Sequence, residues 1–220
     1  MLPDSSDDLR FRRKSAELLA QFPLFEEALA DAGIAVWPMR EYEAADALAS
    51  AAVSAALDAA VNSVFLCTAK HTLAQCVYGS RIVLLNRWAG TLSDEARVVE
   101  RFGIRPCSIP DYLALIGDTN AGYDGVSGWT RKSAAAVLAR FVHLESIPGD
   151  FRDWGMDIGS GASLAKNLSD QAKRALLFRQ LATLRTDLAL FDDVSDLLSR
   201  GPTPAYSALR GSPVRAAYRK

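Results

Sequence analysis

The chain has 220 residues, 50% of them hydrophobic and 23% charged, with a formal net charge of −1; this is the composition of a folded globular protein and excludes wholesale disorder, collagen and a disulfide scaffold. Three unevenly spaced cysteines (Cys67, Cys76, Cys107) form no paired metal-ligand pattern and point to a reducing, cytoplasmic compartment. The small net charge hides a gradient: residues 1–60 carry 11 acidic and 5 basic side chains, whereas residues 126–220 carry 9 and 14, which suggests an anionic partner for the C-terminal part.

No apolar stretch is long enough to cross a bilayer; the longest weakly polar one, Ala47–Leu57, is cut by Asp58. The opening MLPDSSDDLRFRRK has no apolar run behind its charges, so no signal peptide is expected. Residues 16–31 show helical spacing, broken by Pro23 and stopped by Gly33. Ile34–Met39 is predicted as a short strand. Residues 44–60 read as a helix with an alanine-rich buried face. Val64–Thr68 is a continuous apolar run that suits a strand buried on both sides. A short helix over Thr72–Val77 and a strand over Arg81–Leu85 follow, and the alternation predicts an α/β layer with at least partly parallel strands.

After residue 94 the pattern is helical. Helices are expected at Asp94–Phe102, at Ile109–Ile116 (with Pro110 and Asp111 in its first turn), at 130–141 with Thr130 as N-cap, and at Ser169–Thr183. Gly155, Gly159 and Gly161 read as chain breaks. The end, GPTPAYSALRGSPVRAAYRK, is rich in Pro, Gly and Ser and basic, and reads as a loose tail.

The segment GDTNAGYDGVSGWTRKSAAAVLARF, residues 117–141, carries the chemistry. A helix ends at Gly117, a loop with Gly122, Gly125 and Gly128 follows, and the next helix opens with Thr130, Arg131, Lys132 and Ser133. Glycines let backbone approach a ligand closely, and a helix start offers open N–H groups and a positive dipole end. With two cations and two hydroxyls in the first turn, this is a phosphate cradle. A plain helix–loop–helix connection, in which glycines only turn the chain, explains the same letters, and both readings stand. Trp129 likewise reads either as a DNA contact or as a packing residue.

The stretch RFGIRPCSIPDYLALIGDTNAGYDGVSGWTRKSAAAVLA, residues 101–139, resembles the 5′-nuclease family, that is, the flap endonucleases and the 5′–3′ exonuclease domain of bacterial DNA polymerase I. REYEAADALASAA upstream is similar to the family's Glu-Ala-Asp-Asp helix, and FLCTAKHTLAQCV to its strand followed by Asp-Lys-Asp. LLFRQLATLRTDLALF downstream fits its C-terminal segment. The resemblance implies a truncated PIN-like α/β part at 1–95, a helical part at 96–200 with a helix–three-turn–helix (a helix–hairpin–helix type of motif), and a tail at 201–220. It also implies duplex or branched DNA as partner. DNA contacts would come from Gly125, Gly128, Trp129, Thr130, Arg131, Lys132 and Ser133, with potassium at the motif and a cytoplasmic, nucleoid-associated location.

The departures from the family pattern are as informative. Its paired divalent metals need a dense carboxylate cluster. Here Ala45 stands between Glu43 and Asp46 where an aspartate is expected, Lys70-His71-Thr72 flanks the lysine with no aspartate, and Asp118 keeps only Ala121 as its partner position. Glu43, Asp46 and Asp118 remain as a remnant set for Mg²⁺ or Mn²⁺, with the Lys70 ammonium expected to pair with them. Asp4, Asp7 and Asp8 lie outside a strand context, and the family's first strand, its aspartates and its threading arch are expected to be absent. The resemblance therefore implies a DNA-binding protein that has lost cleavage and needs no cofactor. Two alternatives are a residual one-metal nuclease and an interaction module whose incomplete sheet takes a protein partner or a second copy.

Overall fold

The computed structural model describes residues 17–119 and 121–210; the acidic positions Asp4, Asp7 and Asp8 and the tail from residue 211 lie outside them. Two compact units are present, one made from residues 1–41 with 191–220 and one from 42–190. The expected boundary near residue 95 falls inside the second unit. Among the described residues no helix is long and apolar enough to cross a membrane.

In the first unit, helix α1 (Phe22–Asp31) starts where Pro23 fits the first turn without losing a hydrogen bond. Ile34–Met39 forms no strand. Pro38 has no N–H for a ladder, and Trp37 stacks on Phe191 with ring centroids 6.3 Å apart.

The second unit begins with helix α2 (Ala44–Leu57), whose face of small residues is buried: Ala45, Ala47, Ala49, Ser50, Ala52 and Ala55. Strand β1 (Val64–Cys67) runs parallel to β2 (Ile82–Asn86) with Val64 opposite Ile82, and β3 (Thr91–Ser93) closes antiparallel on β2. The hairpin between β2 and β3 is an Asx turn: the Asn86 carboxamide oxygen accepts from the Trp88 and Ala89 N–H groups, both at 3.1 Å. β1 is not buried on both faces as expected. It is the edge of the described sheet, with Leu66 buried and Phe65 53% exposed. A 3₁₀ segment at His71–Cys76 bridges the parallel strands. Leu66, Leu73, Cys76 and Ile82 pack with Ala49 and Ala52 into a small core.

The larger core is helical. Helix α3 (Glu95–Phe102) is capped by the Asp94 carboxylate, which accepts from the Arg97 N–H at 2.9 Å. Helix α4 (Ile109–Ile116) is central and almost wholly buried. It packs against α5 (Arg131–Phe141) and α7 (Ala172–Ala182), with α6 (Gly161–Asp170) set against α7. Side chains from all four interlock: Leu113 and Leu115 with Val137, Leu138, Leu164 and Phe178. α6 is a helix where the glycines predict a break. Gly161 is its first residue, and a Cβ there would sit 2.9 Å from the Phe151 ring, so glycine serves close packing.

A buried ionic network fastens this bundle. Asp111 is 2% exposed, inside α4, and its two oxygens accept from the His143 ring Nδ1 at 2.9 Å, the Leu144 N–H at 3.3 Å and Arg179 Nη1 at 3.4 Å. Arg179 of α7 also pairs with Glu145, and that hydrogen bond holds the Glu145 carboxyl below its ordinary range. His143 is brought into place by Val142, whose φ of 66° and ψ of −54° form a γ-turn closed by the His143 N–H donating to the Phe141 carbonyl at 2.7 Å. A β-branched residue with positive φ is strained, and here it reverses the chain straight out of α5.

Candidate nucleic-acid interface

The interface is built around the loop between α4 and α5. Gly117 ends α4 with φ at +84°. Asp118 and Tyr123 then form an antiparallel bridge, Asp118 N–H to Tyr123 carbonyl at 2.9 Å and the reverse at 3.2 Å, and the Val126 N–H returns to the Leu115 carbonyl at 2.9 Å. The loop is thus folded back on the last turn of α4. Gly125 sits in that junction, buried, rather than facing outward.

Helix α5 opens with a capping box. The Thr130 hydroxyl accepts from the Ser133 N–H at 3.2 Å, and the Ser133 hydroxyl accepts from the Thr130 N–H at 2.9 Å. Thr130 and Ser133 therefore spend their hydroxyls on the helix, and Ser133 is buried. The N–H groups of Arg131 and Lys132 are left for an outside acceptor, at the positive end of the helix. Both side chains are exposed, and among the described residues neither makes an ion pair.

Trp129 turns inward. It is 7% exposed, its indole N–H donates to the Leu164 carbonyl at 3.3 Å, and its ring meets Trp154 at 5.9 Å. Of the two readings of this residue the structure shows packing: it anchors the loop against α6. Gly128 is exposed with φ of +81°, and the Asn167 amide donates to the neighbouring Ser127 carbonyl at 2.8 Å, so α6 holds the outer turn of the loop in place.

Arg131 and Lys132 also line a cavity of about 370 Å³ shared with His71, Arg101, Phe102, Tyr112, Leu113 and Ile116. Sequence reasoning does not bring Arg101 or His71 to this place. Arg101 lies in the last turn of α3, and nothing in its own segment signals that it shares a cavity with the start of α5. Burial pushes the Tyr112 hydroxyl up from its ordinary range, partly offset by the nearby Arg131 cation.

The remnant carboxylates do not converge. Among the described residues no group of three or more His, Cys, Asp and Glu side chains is placed to hold a metal ion. Glu43 is exposed at the start of α2 and makes no capping bond. Asp46 accepts the Arg185 N–H at 2.9 Å. Ala45 is buried in the small-residue face at 3% exposure. Asp118 is buried beside Tyr123 and raises that hydroxyl, which burial chiefly pushes up to about 12. The expected pairing of Lys70 with these carboxylates does not occur among the described residues; His71 stands beside Asp118 instead, at 3.9 Å.

A family model described as 5′–3′ exonuclease, C-terminal SAM fold, matches residues 104–205, which include α4, the loop, α5, α6 and α7. DNA polymerase I of Pseudomonas aeruginosa is 30% identical over 208 residues, 91% of this chain and 21% of that one. DNA polymerase I of Bacillus subtilis is 29% identical over 188 residues, 84% of this chain and 21% of that one. This chain thus spans about a fifth of the length of these polymerases. Flap endonuclease Xni of Yersinia enterocolitica is 28% identical over 193 residues, 83% of this chain and 69% of that one. Among solved structures, a T5 5′-exonuclease with bound zinc superposes with a TM-score of 0.54 at 15% identity, covering 67% of this chain and 52% of that one. A T5 D15 flap endonuclease complex with DNA and metal ions gives 0.53 at 15% identity, covering 69% and 53%. The fold is that of the 5′ nucleases.

Proposed function

Because the chain belongs to the 5′–3′ exonuclease and flap endonuclease family, we propose that it binds duplex or branched DNA without sequence preference, through the first turn of α5, and does not cut it. One observation carries the binding reading: Arg131 and Lys132 project, unpaired, from a capped helix start whose next two N–H groups are open. A phosphate placed there meets two cations and two backbone donors, and no base edge is read. The backbone of Gly128–Thr130 lies alongside and extends the binding surface.

The donor set supports loss of cleavage. A divalent ion needs several converging carboxylates, and Ala45, Lys70, Thr72 and Ala121 supply none. Asp46 is held by backbone and Asp118 lies beside His71. These residues do not fit a pair of divalent metals. The Val126 and Ser127 carbonyls of the loop already accept from the Trp129 N–H and the Asn167 amide, so a potassium ion there would share occupied acceptors.

The test is a 5′-flap substrate with Mg²⁺ or Mn²⁺, scored for both binding and product. Binding should weaken with salt, and Arg131→Ala with Lys132→Ala should reduce the slope of log K against log salt by about 2, roughly one for each phosphate no longer neutralised. Equal slopes for parent and double variant refute the assigned site. Metal-dependent product that disappears in Asp118→Ala refutes the loss of cleavage.

A further inference from the structure

The cavity beside the first turn of α5 has a composition that a duplex backbone alone does not call for. His71, Arg101, Arg131 and Lys132 come to it from three separate stretches of chain, and among the described residues no carboxylate lines it. Arg101, Arg131 and Lys132 make no ion pair among the described residues, although Arg101 stacks over Phe102 at 5.1 Å. Leu113, Ile116 and Phe102 give the lining an apolar wall as well. A volume of about 370 Å³ is at the small end of the range for ligand sites.

From this arrangement we infer that the cavity takes a terminal phosphate monoester of a DNA strand, with the end nucleotide against the apolar wall. The inference rests on the DNA reading above and narrows it. A phosphodiester inside a duplex carries one negative charge and continues in both directions along a convex backbone. A terminal monoester carries between about 1.5 and 2 negative charges at neutral pH, protrudes, and offers three acceptor oxygens. Three unpaired cations converging on one concavity match the second and exceed what the first needs. The guanidinium groups of Arg101 and Arg131 are suited to bidentate contact with such oxygens. Tyr112 also lines the cavity, and its phenol, protonated at neutral pH, adds an O–H donor.

The experiment compares duplexes that differ only in their ends: a 5′-phosphate, a 3′-phosphate, or hydroxyls at both. Affinity is measured by fluorescence anisotropy at fixed salt, and thymidine 5′-monophosphate and thymidine serve as competitors. One phosphorylated end should bind about tenfold tighter than the hydroxyl end, the scale of one charge-assisted set of hydrogen bonds. Arg101→Gln should erase that preference, whatever it does to the affinity for the hydroxyl-ended duplex, while Arg101→Lys should retain part of it. Arg101 is exposed in the last turn of α3, and coincident melting curves show that the variants fold. Equal affinity for all ends overturns the inference and leaves the DNA reading intact. A preference that survives in Arg101→Gln places the phosphate elsewhere and overturns it too. Capture of thymidine 5′-monophosphate with no preference among DNA ends assigns the cavity to a free nucleotide and overturns the strand-end assignment. Absence of binding to every duplex at low salt overturns both readings together.

Discussion

Replacing Gly125 by alanine tests how tightly the α4–α5 loop is locked. The residue has φ of +73°, where an alanine costs about 1–2 kcal/mol. Its Cβ would lie 2.4 Å from the Gly117 nitrogen, 2.5 Å from the Leu115 oxygen and 2.6 Å from the Ile116 carbonyl carbon. All three are backbone atoms at the end of α4 and have no rotamer to change. Relief requires the loop to lift, which breaks the Val126 N–H bond to the Leu115 carbonyl. A broken hydrogen bond of about 1 kcal/mol and an overpacking cost of about 1–3 kcal/mol bring the total to roughly 3–6 kcal/mol. At about 2–4 °C per kcal/mol for a chain of this size, Gly125→Ala should lower the melting temperature by roughly 6–24 °C. Gly122→Ala is the control: φ is +78°, yet nothing lies within 4 Å of a built Cβ, so only the conformational cost of about 1–2 kcal/mol applies. Thermal unfolding followed by circular dichroism at 222 nm reads both. If the two variants melt together, the loop is not seated on α4 and the steric argument is wrong.

Asp111→Asn should cost about 2–4 kcal/mol in chemical denaturation, because an amide replaces one of two acceptor oxygens facing His143, Leu144 N–H and Arg179; a loss under about 1 kcal/mol would show that the network is dispensable. Val142→Gly should stabilise the protein by about 1 kcal/mol, the γ-turn strain relieved exceeding the added freedom of the unfolded chain, and a lower melting temperature would contradict that. Thiol titration at pH 8 should show Cys67 and Cys107, both exposed, reacting promptly and Cys76 only on unfolding. Burial disfavours the thiolate and pushes Cys76 up to about 12, which leaves about one molecule in ten thousand ionised at that pH; three prompt thiols would refute it.

Local signals are enough for part of this architecture. Thr130 and Ser133 mark the start of α5 by residue type and spacing, Asp94 does the same for α3, and Ile109–Ile116 is a helix with the bounds its apolar run implies. The glycines of the loop are legible as a place of close backbone approach, but not what approaches: at Gly125 it is α4 itself. Asp111 illustrates the limit. An acid in the first turn of a helix reads as a solvated dipole partner, and only tertiary contacts with residues 32 and 68 positions away reveal a buried junction. Helix α6 is hidden because Gly161 resembles a breaker until Phe151 is seen against it. Strand β3 gives little signal because the Asx turn at Asn86 uses no glycine at its first central positions. The cavity is invisible for the same reason as the Asp111 junction, since Arg101 and Arg131 line one cavity only once the chain is folded.

The closure of the second unit bears on how the polypeptide acquires its structure during synthesis. The Asp46 carboxylate and the Ser50 hydroxyl, in the first helix of that unit, bind the backbone at Arg185 and Leu188, with the Arg185 N–H at 2.9 Å, its carbonyl at 3.1 Å and the Leu188 N–H at 3.2 Å. Gln75 makes a further pair of such links, to the Ala182 carbonyl and the Leu184 N–H, both at 3.0 Å. The buried Ser50 has no nearer partner for its hydroxyl among the described residues. While a ribosome is still translating the middle of the chain, α2 and the small core beneath it therefore lack the strap that satisfies them, and their apolar faces stay open. Pairings this distant in sequence are slow to form and leave partly folded chains prone to association. Nascent chains arrested before residue 182 should remain protease-sensitive throughout α2, and those extended past residue 190 and clear of the exit tunnel should become resistant in one step.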